Sequence, residues 1–118
     1  MRIPFAATGV VATRTYLKAH HSAASNFLKS MAQGVRRIKS DRAFTDSIMS
    51  KYLSTTDQAT LDAAWKTASA VFEDKPYPSI PGLQEVIDEN DVKGHKPEEF
   101  ADSTLVKELD DAGFFGQK

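Results

Sequence analysis

Apolar side chains recur at helical spacing over most of this sequence. From residue 24 to residue 38 they return every third or fourth position, while Lys29, Gln33 and Arg36 lie on the opposite side. Such a stripe is typical of an amphipathic helix with one face in a core. The stripe consists of Ala24, Phe27, Leu28, Met31, Val35 and Ile38.

Two further helices are predicted in the middle of the chain. Ser40 or Asp41 can cap a helix that runs to Leu53, because both side chains accept hydrogen bonds from the first turn. Thr55 and Gln58 have the spacing of a capping box, which predicts the start of the next helix. That helix carries an apolar stripe and should stop before Pro76. The stripe is Leu61, Ala64, Trp65, Ala68 and Phe72.

Two more helices are predicted in the last third of the chain. Ser79 can cap a helix with Pro81 in its first turn, extending to about Asn90. Either Asp102 or Ser103 can cap the last helix, which Gly113 should end. Residues 97–100 are expected to form a single helical turn between them, with Glu98 and Glu99 near its positive end.

The start of the chain has a different pattern. Ile3–Ala12 is almost continuously apolar and contains β-branched Val10 and Val11, which favours a buried strand. Arg14–His20 follows as a short helical turn, with a bend at His20 and His21. We therefore predict a mainly α fold of about five helices plus one N-terminal extended segment, in a single helical domain over residues 1–118.

Composition narrows the classes of partner and chemistry. The 118 residues carry 15 Lys and Arg against 16 Asp and Glu, for a formal net charge of −1. This balance, without a block of basic residues, gives no reason to expect nucleic acid. Cysteine is absent, which excludes disulfides and thiol nucleophiles. No apolar run approaches the roughly 20 residues of a membrane-spanning helix, so membrane insertion is not expected.

No pattern in the sequence supports catalysis or metal binding. His20 and His21 are adjacent and point to different helix faces, and His95 lies far away in a polar loop. A helical zinc motif needs histidines four residues apart on one face. Neighbouring acids such as Glu98 and Glu99 are typical of a solvated surface. We therefore expect no enzyme, no catalytic residues, no metal site and no cofactor.

Five segments follow one another in an order known from a protein family. They are Gly9–Leu17, Asn26–Val35, Lys51–Tyr52, Pro76–Gln84 and Lys96–Phe114. In this order they resemble the substrate-binding proteins of ABC importers in the nitrate, sulfonate, taurine and thiamine-precursor class. The first resembles that family's G-V-V-x-T-R-x-Y-L stretch, and the last resembles its P-E-D-F-x-D close, which continues to a glycine-phenylalanine pair. The resemblance covers this chain and about the last third of the family pattern.

The resemblance implies a fold, a function and a location. Members of the family hold a small anionic, sulfur-containing or nitrogen-containing nutrient between two α/β lobes. This chain would be the C-terminal third of such a protein, unable to bind ligand alone, with Thr8 and Gly9 as the candidates for ligand contact. Its partners would be the remainder of the binding protein and the ABC permease. The family is periplasmic or extracellular; the sequence shows no signal peptide, and we expect the chain expressed as given to be cytoplasmic.

A second interpretation needs no ligand. Apolar helix faces, an unpaired strand and the Phe114–Phe115 tail favour a stand-alone helical module that associates with a second copy of itself. Under either interpretation we expect Trp65 and Phe27 to be the main core residues. If fully buried, each should cost roughly 3–5 kcal/mol when changed to Ala.

Overall fold

A computed structural model describes residues 9–116, which form six α-helices and no β-strand. The predicted mainly α class is therefore confirmed, and the bend at His20 separates the first two helices as expected. Two 3₁₀ turns, Pro97–Glu99 and Phe114–Gly116, complete the regular structure. The helices are α1 (Arg14–Ala19), α2 (His21–Ser40), α3 (Arg42–Leu53), α4 (Gln58–Val71), α5 (Ile80–Glu89) and α6 (Thr104–Asp111).

Side-chain caps fix where the middle helices begin. Asp41 caps α3 by accepting a hydrogen bond from the Phe44 N–H, and Ser79 caps α5 in the same way from the Gly82 N–H. The predicted capping box at Thr55 is wrong, because α4 begins at Gln58 with Asp57 as its cap. The Asp57 carboxylate accepts from the N–H of Thr60, whereas the Thr55 hydroxyl accepts from the N–H of Asp57. The aspartate is nearer to the first turn, and its charge also suits the positive end of the helix.

Both residues proposed as caps of the last helix take part in its start. Ser103 occupies the cap position without a side-chain hydrogen bond, while Asp102 Oδ1 accepts from the Thr104 N–H at 2.9 Å. Gly113 follows the helix with φ of +73°, the left-handed conformation that glycine adopts without a Cβ clash. The sequence therefore located both ends of α6.

The expectation of a buried strand at the start of the chain is wrong for residues 9–12. These residues have no regular structure and are exposed, with Val11 93% exposed. A strand needs a partner for its N–H and C=O groups, and residues 9–116 provide no other strand. Residues 3–8 of that predicted strand lie outside the described residues.

The described residues divide into two compact units. Residues 9–26 with 77–116 form the first unit, and residues 27–76 form the second. The prediction of one domain over residues 1–118 stays a prediction, since this division describes only how the residues pack.

In the first unit, the buried apolar side chains are Ile87 of α5 with Val106 and Leu109 of α6. Two polar contacts join distant parts of the sequence around them. The Arg14 guanidinium donates to the Glu99 carbonyl at 2.8 Å, and the Tyr77 hydroxyl donates to Asp110 Oδ2 at 3.1 Å. The second contact holds the loop between Pro76 and Pro78 against α6.

The second unit is organised by the packing of α3 on α4. Leu61 of α4 is 4% exposed, and Thr45 of α3 is buried with its hydroxyl donating to the Asp41 carbonyl at 2.9 Å. Trp65 is half-buried and donates its indole N–H to the Ile38 carbonyl of α2 at 2.9 Å. Trp65 therefore anchors this unit through a hydrogen bond as well as through packing.

Few apolar side chains are fully withdrawn from solvent. Phe27 is 50% exposed, so the expectation that it belongs to the core is wrong. Its stripe on α2 divides: Leu28 and Val35 are half-buried, whereas Phe27 and Met31 are exposed. The buried apolar residues of the described chain are Ala32, Leu61, Ile87, Val106 and Leu109.

Candidate functional site

The two residues proposed for ligand contact gain no site from the structure. Thr8 lies outside the described residues. Gly9 is exposed and has no regular structure, and a Cβ added there would meet no atom within 4 Å. The described geometry around Gly9 therefore forms no wall against which a solute could bind.

The three histidines lie in separate surface contacts. His20 stacks on Tyr16 with ring centroids 4.6 Å apart, while His21 Nε2 lies 3.0 Å from Glu108 Oε2. His95 Nδ1 lies 3.2 Å from Glu99 Oε2 and its ring is 5.8 Å from that of Phe100. These are exposed polar and ring contacts of the kind that stabilise a surface.

No group of three or more metal-ligating side chains comes together in residues 9–116. Of the neighbouring acids Glu98 and Glu99, Glu99 accepts hydrogen bonds from residues close to it in sequence. Glu99 Oε1 accepts a hydrogen bond from the Lys96 N–H at 2.8 Å, and this bond, together with the one from His95, lowers the pKa of the Glu99 carboxyl. Glu99 thus behaves as the charged cap of its 3₁₀ turn.

A polar cluster around Arg42 was missed by the sequence reasoning. The Arg42 guanidinium pairs with Asp46 Oδ1 at 2.7 Å and with Asp62 Oδ1, and it lies 4.8 Å from the centre of the Trp65 ring. Gln58 donates to Asp62 at 3.1 Å, which together with Arg42 lowers the pKa of the Asp62 carboxyl. The four-residue spacing of Arg42 and Asp46 was the available signal. The contact to Asp62 depends on how α3 and α4 pack.

This cluster joins α3 to α4 and offers no vacancy for a ligand. The carboxylates of Asp46 and Asp62 both pair with the Arg42 guanidinium. The hydrogen bond to Asp46 is the main cause of the raised pKa of Arg42. Charge-assisted hydrogen bonds from one guanidinium to two carboxylates hold α3 and α4 together. We therefore assign the Arg42 cluster to the stability of the second unit.

An open concavity lies in each unit. In the first unit, a concavity of about 430 Å³ is lined by the apolar side chains of Ile80 and Ala101, by the carboxylates of Glu98 and Asp102, and by Lys107. In the second unit, a shallow apolar groove of about 530 Å³ runs along α4 from Thr60 past Thr67 to Phe72. Both are open to solvent, whereas sites for small molecules bury most of the ligand's surface.

Within residues 9–116, no helix is both long enough and apolar enough to cross a bilayer. Comparison of the chain with family models, with curated proteins and with solved structures finds no match.

Proposed function

We propose that this chain is the C-terminal helical segment of the solute-binding component of an ABC importer for small anionic or sulfur- or nitrogen-containing nutrients. The proposal is motivated by the ordered motifs from Gly9–Leu17 to Lys96–Phe114. Within such a component, the segment would pack against the remainder of the binding protein and hold no solute by itself. The permease would be the second partner.

The observation that supports a docking role is the contrast between the small core and the exposed apolar side chains. Among the described residues, Phe27 is 50% exposed, Met31 46% and Leu53 50%, while only a few small or medium side chains are buried. Apolar surface of this kind favours contact with another protein surface. The rest of a two-lobed binding protein would supply that surface.

Two measurements test this proposal. The nucleotides upstream of the Met1 codon should continue an open frame that starts with a signal sequence. The isolated chain should show no change in melting temperature with taurine, nitrate, sulfonates or pyrimidine precursors, whereas the protein of the extended frame should be stabilised by one of them. A stop codon with a ribosome site just upstream, or a ligand-induced shift in the isolated chain, would contradict the proposal.

A second function, self-association, is favoured by the exposed apolar side chains at the ends of α3 and α4. Tyr52 is 78% exposed and Val71 58%, and the apolar groove of α4 ends at Phe72. Light scattering behind a sizing column measures the mass directly. A strict monomer at high concentration would exclude this function and leave the first unaffected.

A further inference from the structure

The end of α3 presents an exposed aromatic residue beside a cation. Tyr52 is 78% exposed, the adjacent Leu53 is 50% exposed, and Lys51 Nζ lies 5.9 Å from the centre of the Tyr52 ring. A tyrosine with its ring in water and a lysine at its edge combines apolar contact area, a hydroxyl and a positive charge. These are the properties of residues that dominate protein interfaces.

The concavity of the first unit has complementary properties. Its apolar surface is provided by Ile80 and Ala101, and its acidic side by Glu98 and Asp102. The hydrogen bonds from Thr104 keep the pKa of the Asp102 carboxyl low, so this side chain is ionised at neutral pH. Lys107 also lines the concavity, but its ammonium is 2.7 Å from Asp111 Oδ2 and is paired there.

The two units differ in sign of charge. The second unit has eight Lys and Arg against six Asp and Glu over residues 27–76. The described residues of the first unit, 9–26 and 77–116, have five Lys and Arg against ten Asp and Glu. The second unit of one molecule is therefore attracted to the first unit of another.

From these observations we infer that a second copy of this chain occupies the concavity, inserting Tyr52 against Ile80 and Ala101 while Lys51 pairs with Glu98 and Asp102. The inference rests on self-association, the second function proposed above, and names its interface. The ring would lose its exposed area and the lysine would gain two carboxylate partners. Net positive and net negative units would meet.

This contact joins different surfaces of the two copies, so each bound copy still offers its own concavity or its own Tyr52. Reciprocal use of the second pair closes a dimer, whereas unreciprocated use lets association continue to larger species. The contact area around one tyrosine is far below the roughly 800 Å² per partner of a stable interface, so it should be weak and concentration-dependent. High salt should weaken it further, since the Debye length falls to about 3 Å at 1 M salt.

Light scattering of the full chain over a concentration series, at low and high salt, tests the inference with four variants. Lys51→Glu and Glu98→Lys should each raise the apparent dissociation constant by roughly tenfold through like-charge repulsion. The double variant, Lys51→Glu with Glu98→Lys, should recover much of the association. Lys66→Glu makes the same charge reversal on α4, outside the Lys51–Leu53 segment, and is the control: it changes the net charge of the second unit equally and should weaken association less than Lys51→Glu does. Helix content and melting temperature verify that each variant is folded.

The outcomes separate this interface from self-association itself. If the parent chain is a strict monomer throughout, both self-association and this inference are overturned. If it associates but neither single charge reversal weakens association more than Lys66→Glu does, the inference is overturned while self-association stands. Should the single variants fail to fold, Tyr52→Ser replaces them, and undiminished association of that variant would overturn the inference too.

Discussion

The indole N–H of Trp65 donates a hydrogen bond to the Ile38 carbonyl at 2.9 Å and so ties α4 to the last turn of α2. The last four carbonyls of a helix have no partner within it. Trp65 supplies a partner to a carbonyl in that position. The Trp65 side chain therefore contributes to packing and also provides the Ile38 carbonyl with a hydrogen-bond donor.

Replacing Trp65 with Phe should lower the stability of the second unit. The ring is largely retained, so the main loss is the hydrogen bond to Ile38, which contributes about 1 kcal/mol. Urea unfolding followed by circular dichroism measures the difference. Tyr52→Phe is the control, because Tyr52 is 78% exposed and its change should stay within about 0.5 kcal/mol. Equal stability of Trp65→Phe and the parent would show that the bond contributes nothing in solution.

The buried and exposed members of the apolar stripes should differ in their cost of truncation. Leu61, at 4% exposure, should cost roughly 2–5 kcal/mol when changed to Ala. Phe27→Ala should cost less than about 1 kcal/mol, because half of the ring is already in water. Denaturant unfolding at low protein concentration ranks the two variants. A Phe27→Ala loss as large as that of Leu61→Ala would mean that Phe27 is covered in solution.

Removing the Asp57 cap should destabilise α4. The Asp57 carboxylate accepts from both the N–H and the hydroxyl of Thr60, at 2.8 and 2.6 Å. Asp57→Ala removes the oxygen that accepts both bonds and should lower the melting temperature by about 4 °C, within the range for lost caps. Thr55→Ala is the matched comparison and should have a smaller effect. A larger loss of melting temperature for Thr55→Ala than for Asp57→Ala would show that Thr55 is the more important cap at the N-terminus of α4.

Stability should decline at acid pH. The pKa values of Asp57, Asp62 and Glu99 are all lowered in the folded chain, each by hydrogen bonds that the carboxylate accepts. A lowered folded-state pKa means that the unfolded state binds protons first as pH falls. The stabilisation is therefore complete above about pH 5, where the unfolded carboxyls are also ionised, and is lost as the pH falls through the lowered folded-state pKa values.

Melting temperatures measured from pH 7 to pH 3 test this dependence. Asp62→Asn should flatten the acid decline, since it removes one of the three carboxylates. Glu89→Gln, the same loss of one charge on an exposed α5 residue, is the control and should flatten the decline less. A decline that is identical in both variants would argue that Asp62 is not ionised preferentially in the folded chain.

The extent of sequence-based prediction differs between helices and contacts. Helix boundaries could be predicted from the sequence because caps such as Asp41 and Ser79 act within one turn of the chain. The exposure of Phe27 could not be predicted from the sequence. Spacing shows that a residue lies on an apolar stripe, but it does not show which part of the stripe another element covers. The contact between Arg42 and Asp62 likewise depends on tertiary packing across 20 residues of sequence.

The beginning of the chain shows a third kind of difficulty. Val10 and Val11 have strand propensity, yet propensity acts only where a neighbouring strand can accept the backbone hydrogen bonds. Residues 9–116 provide none, so the composition of that segment was a poor guide to its structure. The proposal that Gly9 contacts a ligand depended on the same predicted strand, and the structure shows no binding site around Gly9.

The small number of buried side chains implies that the helices open at different free energies. Backbone amides near Leu61 in α4, and near Val106 and Leu109 in α6, should exchange their hydrogens only through the largest openings, because those turns adjoin the best-buried side chains. Amides of α1, which has no buried residue, should exchange through local fraying. Binding of a partner that covers the exposed apolar faces would then be detected as new protection of backbone amides from hydrogen exchange, in helices that are otherwise nearly unprotected.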